Sequence, residues 1–130
     1  MKNQKPVVLL TRRWPEAVEA VLAEKYTLIR NDADVPYSAA ELAAALTKAD
    51  AVCPTVTDAL TADVFAAASK VGIRTKLLAN FGVGYNHIDI ASARANGLEI
   101  TNTPGVLTAA TAEIAMTLLL MCARMTAASV

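Results

Sequence analysis

Apolar and polar positions along this chain follow two periods that take turns from one end to the other. Short runs rich in large apolar residues stand at 6–11 (PVVLLT), 27–30 (TLIR), 51–56 (AVCPTV), 76–81 (KLLANF) and 98–102 (LEITN), and each predicts a buried strand. Between them the spacing changes to the period of a helix, over 15–25, 39–49, 61–70, 87–96 and 109–124. The ends carry ordinary signals. Pro15 suits a first helical turn, Ser38 with Glu41 has capping-box spacing, and Gly97 supplies a left-handed stop.

Strands separated by single helices pair in parallel, because a parallel neighbour is reached only through a crossover. Five such units predict an α/β domain of flavodoxin-like, doubly wound type, a five-stranded parallel sheet of order 2-1-3-4-5. Ligands are expected beyond the carboxyl ends of its strands. The fold alone decides no function. A flavin phosphate would need a Ser/Thr/Gly-rich loop after the first strand, where the chain has TRRWPE. A phosphoacceptor would need carboxylates at the ends of strands one and three, where Thr11-Arg12 and Cys53-Pro54-Thr55 stand. Both readings fail on residues.

The last predicted helix differs from the others. From Ala109 to Met125 its only charges are Glu113 and Arg124, and Ile114, Met116, Leu118, Leu119, Leu120 and Met121 go round the whole cylinder. A helix apolar on all sides is normally covered on all sides. The expectation is a long apolar C-terminal helix that associates with a second copy through 109–124, giving a dimer.

Composition narrows the partners. The chain has 130 residues, the size of one domain, with 12 basic and 12 acidic side chains, so no net field draws in nucleic acid or an anionic membrane. Cys53 and Cys122 lie far apart without metal-ligand spacing and read as free thiols, with no metal site expected. Val7 to Leu10 is too short an apolar run for a signal peptide, and IAMTLLLMCA is too short for a membrane span. A cytoplasmic location follows as the default.

The stretch NFGVGYNHIDI, Asn80 to Ile90, carries the candidate chemistry. Gly82 and Gly84 form G-x-G, but His87 stands where a dinucleotide fingerprint would have its third glycine. The loop follows strand four and opens helix four, so free main-chain amides there suit a small anion such as a carboxylate. The alternative is a tight turn and nothing more.

Residues 80–124, NFGVGYNHIDIASARANGLEITNTPGVLTAATAEIAMTLLLMCAR, together with VLLTRRWPEAVEAVL and AVCPTVTD, resemble the D-isomer-specific 2-hydroxyacid dehydrogenases, and within them the glyoxylate/hydroxypyruvate reductase branch. The resemblance implies that this loop belongs to the substrate domain and that its amides hold the carboxylate of a small 2-keto or 2-hydroxy acid. Val83 and Gly84 would be the donors, Asn80 and Phe81 would line the pocket, and Thr111 would face the nicotinamide of NAD or NADP. Ala109 replaces an aspartate common in the family. The family's catalytic histidine, arginine and glutamate lie later in the chain than these residues. The implied catalytic set in this chain is therefore none, and His87 reads as a structural first-turn residue of helix four, with Asp89 as a helix-start carboxylate.

The resulting expectation divides the chain into a substrate-binding domain over 1–105 and an interdomain crossover helix with truncated tail over 106–130. The Rossmann cofactor domain is absent and no cofactor is held tightly, so the chain alone is inactive. The rival expectation is a stand-alone, non-catalytic module that binds small carboxylates or another protein.

Overall fold

The computed structural model describes residues 5–124. Its five strands are β1 (Val7–Leu10), β2 (Thr27–Ile29), β3 (Ala51–Cys53), β4 (Leu77–Ala79) and β5 (Glu99–Thr101). They form one sheet of order β2-β1-β3-β4-β5 in which every neighbouring pair is parallel. Each strand is shorter than its apolar run, because ladder pairing ends where the chain turns out of the sheet. Helices α1 (Glu16–Lys25), α2 (Ala39–Lys48), α3 (Ala62–Val71), α4 (Ile90–Ala95) and α5 (Thr108–Ala123) follow the strands in turn.

Local chemistry sets the helix ends. Ser38 and Glu41 close the capping box: the Ser38 hydroxyl accepts from the Glu41 amide at 3.3 Å, and the Glu41 carboxylate accepts from the Ser38 amide at 2.8 Å. Pro15 precedes α1 as its cap, one position outside the expected first turn. Gly97 takes the left-handed φ of 76° just past α4.

Helix α4 corrects the sequence reading. Expected over 87–96, it begins only at Ile90, so His87 is not a first-turn residue. An isolated parallel bridge joins Leu60 to Ile88, with the Leu60 amide donating to the His87 carbonyl and the Asp89 amide to the Leu60 carbonyl. That pairing keeps Ile88 and Asp89 out of the helix, and the Asp89 side chain then caps it by accepting from the Ser92 amide at 2.8 Å.

The two faces of the sheet are covered unequally. Leu9, Val52 and Leu78 meet Leu42 and Leu46 of α2 and Val64 and Phe65 of α3 in the main core. On the other face Val8, Leu10 and Cys53 form a smaller cluster with Trp14, Leu22, Tyr26 and Leu28. Burying alternate residues of one strand on opposite faces is what period two requires. Helix α5 adds to neither cluster, and each of its residues is exposed. Residues 125–130, expected as the tail of the crossover element, lie outside the described residues.

Candidate functional site

The loops after β1, β3 and β4 meet at the carboxyl edge of the sheet, where a doubly wound fold places its ligands. The loop after β1 is anchored by charge. Glu19, buried on α1, accepts from the Trp14 amide at 2.8 Å and lies 3.5 Å from the Arg13 guanidinium and 3.6 Å from that of Arg30. Arg12 donates to Asp34 at 2.8 Å and to the Thr57 hydroxyl at 3.3 Å, which ties this loop to the one after β3. The bond to Arg12 holds the Asp34 carboxyl below its ordinary range. Under these loops lies Asp58, fully buried, whose Oδ2 accepts from the Thr11 hydroxyl and from the Thr55 amide at 2.7 Å. Its Oδ1 has no hydrogen-bond partner among the described residues.

The glycine loop is fastened on both sides. The Asn80 amide donates to the Thr101 carbonyl at 2.9 Å and the Phe81 amide to the Pro54 carbonyl at 2.8 Å. The Phe81 ring packs on Trp14 with centroids 4.7 Å apart and planes tilted by 39°, while 47% of the residue stays exposed. Trp14 thus gives the loop an aromatic support. Asn80 is 2% exposed, and its side chain is turned into the loop. Its Nδ2 donates to the carbonyls of Gly82 at 3.2 Å and Gly84 at 2.9 Å, and its Oδ1 meets His87 Nε2 at 2.9 Å. From the end of β5, Asn102 Nδ2 donates to the Val83 carbonyl at 2.9 Å.

These bonds use carbonyls and leave amides over. Among the described residues the N–H groups of Val83, Gly84 and Tyr85 donate to nothing within the chain. Neither Gly82 nor Gly84 has a left-handed φ, and a Cβ on Gly84 would meet open space. The glycines are therefore not demanded by turn geometry. What they provide is a bare main chain that a ligand can approach.

Thr111, expected at the cofactor side, comes to the same place. Together with Val83, Leu107, Thr108, Ala112 and Ala115 it lines an open cleft of about 560 Å³ between the glycine loop and the start of α5. Of the expected residues, Val83 and Thr111 share this cleft, Gly84 adjoins it along the chain, Phe81 faces Trp14 and Asn80 is buried beneath the loop. Reading along the chain missed Asn102 and Asp58: each is an ordinary polar residue in sequence, and only the sheet brings Asn102 against the glycine loop and Asp58 under the loops after β1 and β3. Among the described residues no cluster of His, Cys, Asp and Glu could hold a metal ion, and no helix is long and apolar enough to cross a membrane.

The parallel doubly wound sheet thus carries unpartnered loop amides at its carboxyl edge, beside a cleft that opens on α5, the place where folds of this class bind ligands. The chain belongs to the D-isomer specific 2-hydroxyacid dehydrogenases, whose catalytic-domain sequence model matches residues 8–129. It is 40% identical over 120 residues to the glyoxylate reductase of Thermococcus onnurineus and 37% identical over 120 residues to that of Korarchaeum cryptofilum. Both alignments cover 92% of this chain but only 35% of the relative, so the chain spans about a third of their length. Among solved structures, the D-isomer specific 2-hydroxyacid dehydrogenase, NAD-binding, from Polaromonas sp. JS6 66 is similar with 36% identity and a TM-score of 0.77, covering 90% of this chain and 36% of that one. The TT0316 protein of Thermus thermophilus is similar with 35% identity and a TM-score of 0.76, covering 93% of this chain and 38% of that one.

Proposed function

We propose that this chain is the substrate-binding part of an oxidoreductase that reduces a small 2-keto acid, glyoxylate or hydroxypyruvate, to the D-2-hydroxy acid with NADH or NADPH. The single observation that carries the reading is the pair of unpartnered amides at Val83, which lines a cleft at the ligand edge of the fold, and at Gly84 next to it in the chain. A carboxylate accepts from such amides without needing a positive side chain. Phe81 bounds the site on its aromatic side, and Asn80 shapes the loop beneath it.

Thr111 and Val83, which share the cleft, would meet the nicotinamide end of the cofactor. The cofactor supplies the hydride when bound, and the residues described here hold and orient the acid. The 130 residues contain no G-x-G-x-x-G to hold a pyrophosphate. In this reading residues 1–105 form the substrate unit, 106–130 cross towards a cofactor domain, and the chain by itself binds without turning over.

Binding by the chain alone is weak. Hydrogen bonds to a charged oxygen contribute about 1.5–3 kcal/mol each, and ordering costs offset most of that where no second domain closes over the ligand. Titrating nitrogen-15-labelled protein with glyoxylate is expected to move the Val83 and Gly84 amides first, with a dissociation constant on the order of millimolar. Unmoved signals there, with shifts elsewhere on the surface, would overturn the assignment.

A further inference from the structure

We infer that Asn80 and Asn102 are the positioning residues of the anion loop: each grips carbonyls whose peptide planes carry the outward amides, and His87 locks Asn80 in the orientation this requires. The inference rests on the carboxylate reading above and goes past it by naming what aims the donors.

In a trans peptide the carbonyl of one residue and the N–H of the next point in opposite directions. The Gly82 carbonyl accepts from Asn80 Nδ2 and from the Thr103 amide, so the Val83 N–H points away from both. The Val83 carbonyl accepts from Asn102 Nδ2, so the Gly84 N–H points away from the end of β5. The Gly84 carbonyl accepts from Asn80 Nδ2, which turns the Tyr85 N–H outward in the same manner. Glycine makes rotation of a peptide plane cheap, and two glycines flank these planes. Without the asparagine ties only the bond from the Thr103 amide to the Gly82 carbonyl would be left to fix a donor direction.

His87 completes the device. Both partners of Asn80 Nδ2 are carbonyls, so this nitrogen must be the amide donor and Oδ1 must be the atom facing the imidazole. His87 therefore donates from Nε2. A side chain with no N–H at this place would let the Asn80 amide rotate and lose both glycine carbonyls together.

The test is the glyoxylate titration repeated on Asn102→Asp, His87→Leu and His87→Gln. A carboxylate at 102 repels the Val83 carbonyl. Asn102→Asp is expected to abolish the glyoxylate response of the Gly84 amide while that of Val83 persists, and to weaken binding roughly tenfold. His87→Leu is expected to disturb the Val83 and Tyr85 amides instead, and His87→Gln, which keeps an N–H for Asn80, is expected to restore them. A merely structural role would not divide the amides in this way or be rescued by glutamine. A wild-type response at Gly84 in Asn102→Asp, or an equal loss at all three amides, would overturn the inference. Should wild-type protein show no response to glyoxylate, the carboxylate reading fails on its own. The inference is then decided in ligand-free protein by the scalar coupling through the hydrogen bond from Asn102 Nδ2 to the Val83 carbonyl carbon: its presence upholds the orientation, its absence refutes it.

Discussion

His87 is held in its neutral form by its surroundings. Partial burial lowers its pKa below the ordinary 6.5, against a weaker upward pull from the Asp58 charge. The folded protein then binds fewer protons at this ring than the unfolded chain does, so the contribution is fully present above pH 6.5 and is lost as pH falls through the folded value. The lowered carboxylates act in another window: Asp50, held by Arg74, and Glu41, held by Ser38, have ordinary values of 3.8 and 4.5 and titrate below those. The melting temperature is therefore expected to be level above pH 7 and to fall as pH drops below 6.5, with His87→Gln reducing that fall. A wild-type profile level down to pH 5 would contradict the account. The two cysteines give a second residue-scale outcome. Burial pushes the Cys53 thiol up to about 11, whereas Cys122 lies exposed on α5. Only a thiolate attacks an alkylating reagent. Iodoacetamide at pH 8 is expected to modify Cys122 alone in folded protein, and an adduct on Cys53 without unfolding would show that the second sheet cluster opens.

At the scale of elements, α5 stands apart. Ile114, Met116, Leu118, Leu119 and Leu120 are 53–61% exposed, and the helix has no polar face to turn to water. Burying one large apolar side chain contributes about 1.5–3 kcal/mol, and burying four or five exceeds the low end of the ~4–15 kcal/mol association cost. We propose that two copies pair through 109–124 in a two-fold dimer, the simplest closed arrangement for one self-complementary surface. Sedimentation equilibrium at micromolar concentration is expected to give twice 13.6 kDa, and Leu118→Glu with Leu120→Glu is expected to return a soluble monomer. A wild-type monomer at 13.6 kDa would refute the proposal. The α4 segment shows the opposite relation between pattern and packing: its period extends back to 87, yet a single backbone bridge to Leu60 shortens it to Ile90–Ala95.

At the scale of the molecule, binding and turnover are expected to separate. The 130-residue chain is expected not to oxidise NADH or NADPH with glyoxylate or hydroxypyruvate at any protein concentration, because hydride transfer needs the nicotinamide fixed beside the acid. Turnover that survives repurification and disappears on substitution of Gly84 would defeat this. Much of the architecture was legible along the chain, since alternation of period two and period three-to-four is a local property set by which side chains avoid water. Sheet order followed from it, because single crossovers permit few parallel arrangements. The capping box and the turn at Gly97 were legible for the same reason: their bonds join residues three or four apart. The candidate site was legible only as a place. That Gly82 and Gly84 expose main chain could be read from their type, but the direction of each amide could not. Asn80 and Asn102 grip the loop from just past the ends of two strands that are neighbours only once the sheet has formed, Trp14 supports Phe81 across more than sixty positions, and Asp58 is buried by loops that meet at one edge. Sequence by itself determined the elements, their order and the glycine loop, because those depend on near neighbours. Tertiary structure alone decided which way the amides point and where Thr111 lies, because hydrogen bonds between distant residues have no period to announce them.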